Sequence, residues 1–210
     1  MLNIIITIAV ALLTAELIGY FLHALMHSNK IEFLSKSHMI HHLVIYGPKQ
    51  PFRTEKYQTS LIDGRPGIDG IGLEWLLPIA IIITTMSLIL WLLRIPLELS
   101  LIFIGTGLVW EFIMFNYMHD SMHLEHFWMN KNRLLGKWYK GAQLKHEIHH
   151  LEIDDQGRMC SNYGICFFFF DRLFGSYVNK FNEFNEAGFE KAKTRYAYIY
   201  KLLKERAPLE

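Results

Sequence analysis

Apolar positions along the chain fall in three long blocks instead of alternating or recurring at amphipathic spacing. Residues 4–22, 73–93 and 97–118 are nearly free of charge. Each is long enough to cross a bilayer as a helix, which takes about 20 mostly apolar residues. Only Arg94-Ile95-Pro96 separates the second block from the third, so the two predict a tight helical hairpin. Trp75 and Trp91 stand near the ends of the second block, where interfacial aromatics belong. Residues 47–72 carry Pro48, Pro51, Gly64, Pro66, Gly67, Gly70 and Gly72 and predict an irregular loop. Past Phe184 the pattern changes again. Phe189, Ala192, Tyr196, Ile199 and Leu203 recur at helical spacing. They predict an amphipathic helical tail over residues 181–210, packed on the domain or lying on the membrane surface, with packing favoured. The fold class expected is an all-α integral membrane protein. Three transmembrane helices and a cytoplasmic helical cap form one membrane-embedded domain, residues 1–180.

Composition supports this. The chain is 51% hydrophobic over 210 residues, too short to bury three such helices in a soluble core. The first block could instead be a signal peptide, but it lacks a charged leading region and a small-residue cleavage site. Cations are segregated: no Lys or Arg precedes Lys30, and 20 of the 21 fall on one side of a three-span arrangement. By the positive-inside rule that side is cytoplasmic and the N-terminus is outside, in a bacterial inner membrane or the endoplasmic reticulum. Cys160 and Cys166 then sit in a reducing compartment and read as packing residues. A net charge of +1 and the lack of a basic stripe argue against nucleic-acid binding.

The eleven histidines lie at or beyond the cytoplasmic ends of the spans. Ten form four clusters in the order pair, triple, pair, triple: His23 and His27; His38, His41 and His42; His119 and His123; His146, His149 and His150. Positions three or four apart share a helix face. Each pair therefore extends the face of a span just past its end, and each triple lies in the segment that follows. Imidazole suits iron, zinc, copper and nickel. Ten imidazoles at repeated ligand spacing and one depth predict a polynuclear metal site. His126 falls outside the repeat and is either an eleventh ligand, three residues past His123, or a solvated side chain.

The last triple also contains His146-Glu147-Ile148-His149-His150, which matches the H-E-x-x-H pattern of zinc hydrolases. That pattern uses His146 and His150, Glu147 as base and a third ligand, and leaves seven clustered histidines unexplained. The sister triple has Met39 where the base would stand. Carboxylate-bridged di-iron bundles need two Glu-x-x-His motifs, and here only Glu147 to His150 fits. A histidine-dominated site is indicated, with Glu147 incidental to it.

The four clusters resemble those of the fatty acid hydroxylase / sterol desaturase superfamily of integral-membrane di-iron oxygenases. Asn162-Tyr163-Gly164 followed by Asp171-Arg172-Leu173-Phe174-Gly175-Ser176-Tyr177 is similar to the family's ending after the last triple, and Glu16, seven residues before His23, matches an acidic position found in some members. The resemblance runs from about Glu16 to Tyr177. Many members have four spans where three are counted here, and the segment 151–161 is longer than in several relatives. The first pair, H-x3-H, is that of the sterol-oxidising branch.

The resemblance implies two iron ions on the ten clustered histidines, with zinc able to replace them on purification, and O2 as co-substrate. The substrate would be a sterol-like lipid, a fatty acyl chain or a carotenoid drawn from the bilayer, hydroxylated or desaturated. No nucleotide or flavin motif appears, so an external donor, a ferredoxin or a cytochrome with its reductase, would supply electrons. Ligating imidazoles usually donate their other N–H to a carboxylate or carbonyl; Glu16 and Asn162 are the candidates for such support. Glu111 is weaker because eight residues of α-helix drift off the His119 face, and Asp120 and Glu125 are near ligands only in sequence. Two other classes remain: a membrane zinc metallohydrolase, and a non-catalytic metal-binding or transport protein, which would place ligands mid-membrane.

Overall fold

The computed structural model describes residues 1–58, 75–181 and 183–206. Among them the chain is all-helical, with one isolated bridge between Thr54 and Leu124. Helix α1 (Leu2–Met26) leads to α2 (Glu32–Ile40), which runs on as a π-helical turn, His41–Ile45. The hairpin is α3 (Leu76–Leu92) and α4 (Leu97–Phe112), turning at Arg94 with φ 55°. A π-helical segment, Ile113–Met118, carries α4 into α5 (His119–Met122). Then come α6 (Gly136–Leu151), α7 (Phe169–Phe174), α8 (Glu186–Arg195) and α9 (Ala197–Arg206). Residues 59–72 of the expected loop lie outside the described residues, as do the first two of the 73–93 block.

Helices α1 and the continuous Leu97–Met122 are long and apolar enough to cross a membrane, and α3 is a shorter apolar helix of 17 residues. Their packing separates membrane from soluble core. α3 buries only Leu90 and α4 buries no side chain, while Trp91, Leu92, Leu97 and Leu101 are each more than 60% exposed. A helix apolar all round and bare of protein needs lipid. The protein is a membrane protein.

α1 packs on α4 along a ridge of spacing four: Ala11, Ala15, Gly19 and His23 are buried, while Leu13 and Phe21 between them are exposed. Small residues on such a ridge let two backbones approach closely. At Gly19 the approach is tightest. A Cβ there would lie 2.9 Å from the Phe115 ring and 3.0 and 3.1 Å from the Glu111 carboxylate oxygens.

The tail packs on the domain. Phe189, Ala192, Tyr196 and Ile199 pack with Met39, Leu43, Ile153 and Met159 in one apolar cluster. Tyr196 Oη donates to the carbonyl of His27 at 2.6 Å, which ties the tail to the end of α1. A second cluster holds Met114, Met118 and Met122 of the long helix against Tyr139 and Ala142 of α6, with Ile165 and Cys166. Cys166 is thus a packing residue, whereas Cys160 is exposed; both thiols are free.

Candidate metal centre

All ten clustered histidines are buried, none more than 8% exposed. They converge as two groups of five. His23, His27, His38, His42 and His149 form one; His41, His119, His123, His146 and His150 form the other; within each the ligand atoms lie within 4.8 Å of one another. Either group could hold a metal ion.

Helix geometry dictates how the clusters are shared out. In H-x2-H-H the outer histidines are four apart and lie about 40° apart around the helix, while the middle one stands about 100° from the last. So His38 and His42 join the pair on α1, and His41 points across to the other group. His146 and His150 join the pair on α5, and His149 points across in return. Each group takes an i,i+4 pair from a spanning helix, an i,i+4 pair from the helix after it, and the middle histidine of the opposite triple.

The atoms meet as ligands would. Nε2 of His38 lies 2.9 Å from Nε2 of His27 and 3.1 Å from that of His23, and Nε2 of His146 lies 2.9 Å from that of His123. Both ring nitrogens of His42 and of His150, and Nε2 of His41 and His119, are buried without a protein partner. Orphaned buried nitrogens cost free energy unless something fills them. A cation bound by lone pairs from five neutral imidazoles fits that need. Burial pushes the imidazoles of His38, His41, His42, His123, His146 and His150 well below the ordinary histidine range, reinforced by mutual repulsion, and pushes His149 down to about 4. Neutral imidazole is the form that binds metal.

One turn supports the first group. His23 Nδ1 donates to the carbonyl of Tyr163, and His149 Nδ1 donates to the carbonyl of Ser161, each at 2.5 Å. That fixes the tautomer and turns Nε2 inward. Between those carbonyls, Asn162 sits at φ 49° and its side chain bonds the backbone of Lys145 and Val178. Asp171 accepts from the backbone N–H of Tyr163 and Gly164 and from Ser176 Oγ. Gly164 is required because a Cβ would lie 2.3 Å from the Phe167 carbonyl. Asn162 therefore touches no histidine. It shapes the turn whose neighbouring carbonyls do. Sequence reasoning missed those carbonyls, since backbone groups leave no residue-type signal; the spacing from Asn162 to Asp171 was the available clue.

The second group is supported from other elements. His119 Nδ1 donates to Asp120 at 3.3 Å, Tyr57 Oη lies 3.4 Å from His41 Nδ1, and the Tyr46 ring stacks on His123 at 4.0 Å. Arg53 pairs with Glu147, and the Thr54–Leu124 bridge pins the same segment.

Three candidates change role. Glu16, expected to brace a ligand, instead accepts from Trp110 Nε1 at 2.7 Å. Seven residues of helix are about 10 Å, too far for a carboxylate to reach the next ligand on its own face. Glu111 shares the His119 face and lines the same cleft, though at that spacing it too is out of reach of the ring. The π-helical stretch between them absorbs about one extra residue, so eight positions act as seven do in α-helix. His126 is exposed and outside both groups, because α5 ends at Met122 and the chain leaves the helix face.

A cleft of about 360 Å³ opens onto the histidines. Its walls are the small face of α1 (Ala11, Ala15), the isoleucines of α3 (Ile79, Ile82, Ile83) and α4 at Ile104 and Gly107. Its inner end reaches His23 and His38 of one group and His41 and His119 of the other. Polar residues there are Ser37, Tyr57, Gln58, Asn116 and Asp120.

No curated protein and no solved structure matches the chain. The family model described as Fatty acid hydroxylase matches residues 72–176, half of the chain. That segment holds the second pair, the second triple and the turn at Asn162; the first pair and first triple lie before it, and the fold brings them to the same centre. The chain belongs to the fatty acid hydroxylase family, part of the histidine-box sterol desaturase/hydroxylase superfamily.

Proposed function

We propose that the protein is an O2-dependent di-iron oxidoreductase that hydroxylates or desaturates a C–H bond of a membrane lipid. The observation that carries this is the apolar cleft ending on histidines of both groups. A saturated C–H bond offers acid–base catalysis no handle, so a redox metal must carry the chemistry. Two irons, held by the two groups of five histidines, would activate O2 beside the bound chain.

The protein's own part is binding, orientation and exclusion of water. The isoleucines of α3 and the small face of α1 hold the apolar body of a lipid such as a sterol-like lipid, an acyl chain or a carotenoid. Ser37, Gln58 and Asn116, at the histidine end, suit its polar end. The lipid's polar end and the carbon oxidised then share one depth. α3 serves as the third span, and the density of Lys and Arg on the histidine side makes that side cytoplasmic, where a ferredoxin or cytochrome can deliver electrons. A zinc hydrolase fits less well, because the carboxylate its base would need is engaged with Arg53.

Lipid mass spectrometry of cells expressing the wild type or His149→Ala, with a competent reductase, tests the proposal. A lipid that gains one oxygen or loses two hydrogens only with wild type supports it. Identical lipidomes from the two, with the protein present and iron-loaded, would sink it.

A further inference from the structure

Residues 126–146 contain five cations and no acidic residue. Lys145 is buried, but Lys131, Arg133, Lys137 and Lys140 are exposed. Large apolar side chains are exposed among them: Leu134 at 88%, Trp128 at 52% and Leu144 at 48%. On α6 the outward stripe is Lys137, Trp138, Gly141 and Leu144, at spacings of three and four, with Tyr139, Ala142 and Gln143 buried on the opposite face. α7 presents a second apolar face, with Phe169, Leu173 and Phe174 exposed at 49–62%.

These patches continue the lipid-facing surface of the spans. The Phe174 ring lies 5.4 Å from that of Phe21, an exposed residue of α1. Phe167 stacks on Trp110 of α4 at 5.9 Å and lies 5.6 Å from Trp138 at the start of α6. Trp110 is nine residues before His119, or about 13 Å deeper along the helix, so Phe167 sits at a depth the bilayer occupies. α7 packs against Tyr20 and Phe21 of α1, whereas the cleft is walled by Ala11, Ala15 and Ile18.

We propose that α7 and residues 128–144 form a second, monotopic membrane contact whose ligand is an anionic phospholipid leaflet. Phe169, Leu173 and Leu134 enter the acyl region. Lys131, Arg133, Lys137 and Lys140 meet the phosphates. Apolar residues beside a run of Lys and Arg are what an interfacial helix needs, and anionic lipid strengthens such contacts. The bilayer then grips the protein on the α7 side as well as around α3.

Nitroxide labels report it. In full-length Cys160→Ser protein reconstituted in vesicles, labels are placed at Leu134→Cys and Leu173→Cys, with Glu190→Cys on α8 as a control. Collisions with lipid-soluble oxygen are compared with those of a water-soluble nickel chelate. The contact predicts oxygen-dominated collisions at 134 and 173 and nickel-dominated collisions at 190. Adding phosphatidylglycerol to phosphatidylcholine vesicles should deepen the label at 134. That shift should vanish in the quadruple variant K131Q/R133Q/K137Q/K140Q. Nickel access at 134 and 173 equal to that at 190 overturns the contact. So does protection that persists in detergent and grows with protein concentration, which would mean that a second copy covers the face. A wild-type depth indifferent to phosphatidylglycerol overturns the anionic part.

Discussion

His42 and His150 stack face to face, with ring centroids 3.9 Å apart and planes 16° apart, although they belong to different groups of five. Each is the last histidine of its triple. The stack joins the two groups at their centre, and His41 and His149 cross beside it. The two rings of the stack cannot both be charged at that distance without repelling each other, and burial holds both neutral. The two groups therefore meet at this stack while each keeps its own five ligands.

The crossing makes a prediction about metal content. His41→Ala should deplete the group built on His119 and His123, not the one nearest it in sequence. His41→Ala and His119→Ala weaken the same group, so the double variant should still keep one metal. His41→Ala with His149→Ala touches both groups and should lose both. Residues in one network are non-additive where independent sites add. Metal counts per chain decide it; two metals lost from His41→Ala/His119→Ala would refute the assignment.

The sequence made much of this legible. Spacings of three and four put histidines on helix faces, and block length and charge segregation gave the helices and their membrane setting. Three things were not legible. Which histidines share an ion depends on how α2 and α6 meet, a long-range matter. The carbonyls of Ser161 and Tyr163 act through backbone that any residue supplies. The π-helical insertion at Ile113–Met118 changes the face of Glu111 with no marker in residue type.

The turn at Asn162 should tune metal affinity without contributing a ligand. Asn162→Ala removes the side chain that bonds Lys145 and Val178, and Asp171→Asn replaces an acceptor of three bonds. Loss of such support typically costs 10–100-fold in metal affinity, and about that loss is expected for the group holding His23 and His149. Competition with a chelator measures it. Unchanged affinity in folded Asp171→Asn protein would show that the carbonyls do not orient the rings.

Glu147 should be dispensable for the chemistry. Its partner Arg53 is 35% exposed and it is itself 25% exposed, so the pair is worth no more than about 1 kcal/mol after screening. Glu147→Gln should keep both metals and most of the lipid oxidation. A collapse of activity with metals intact would return the residue to the role of a base.

Enlarging the α4 wall should block the cleft. Ala15 of α1 and Gly107 of α4 both line the cleft, and Gly107 has no neighbour within 4 Å of where its Cβ would lie. Gly107→Leu fills open space and should fold. It should leave metal content unchanged and raise KM most for the longest or bulkiest lipid. Equal loss for short and long lipids would mean that the cleft does not hold the chain.

Acid should unfold the metal-free protein in a defined window. His149 has a folded pKa of about 4 against an ordinary value of 6.5. Below 6.5 the unfolded chain binds a proton that the folded chain refuses, so stability present above 6.5 is lost as pH falls towards 4. At 1.36 kcal/mol per pKa unit, His149 alone is worth about 3 kcal/mol across that window. His38, His41, His42, His123, His146 and His150 are shifted the same way, chiefly by burial. Bound metal needs the same neutral imidazoles, so loading should move the transition to lower pH. Thermal unfolding of metal-free protein in detergent, followed from pH 8 to pH 4, should show a plateau above about 6.5 and a steep fall below it. A flat profile through pH 5 would show that the rings are solvated and already titrating, and the closed centre described for the ten histidines would then be wrong.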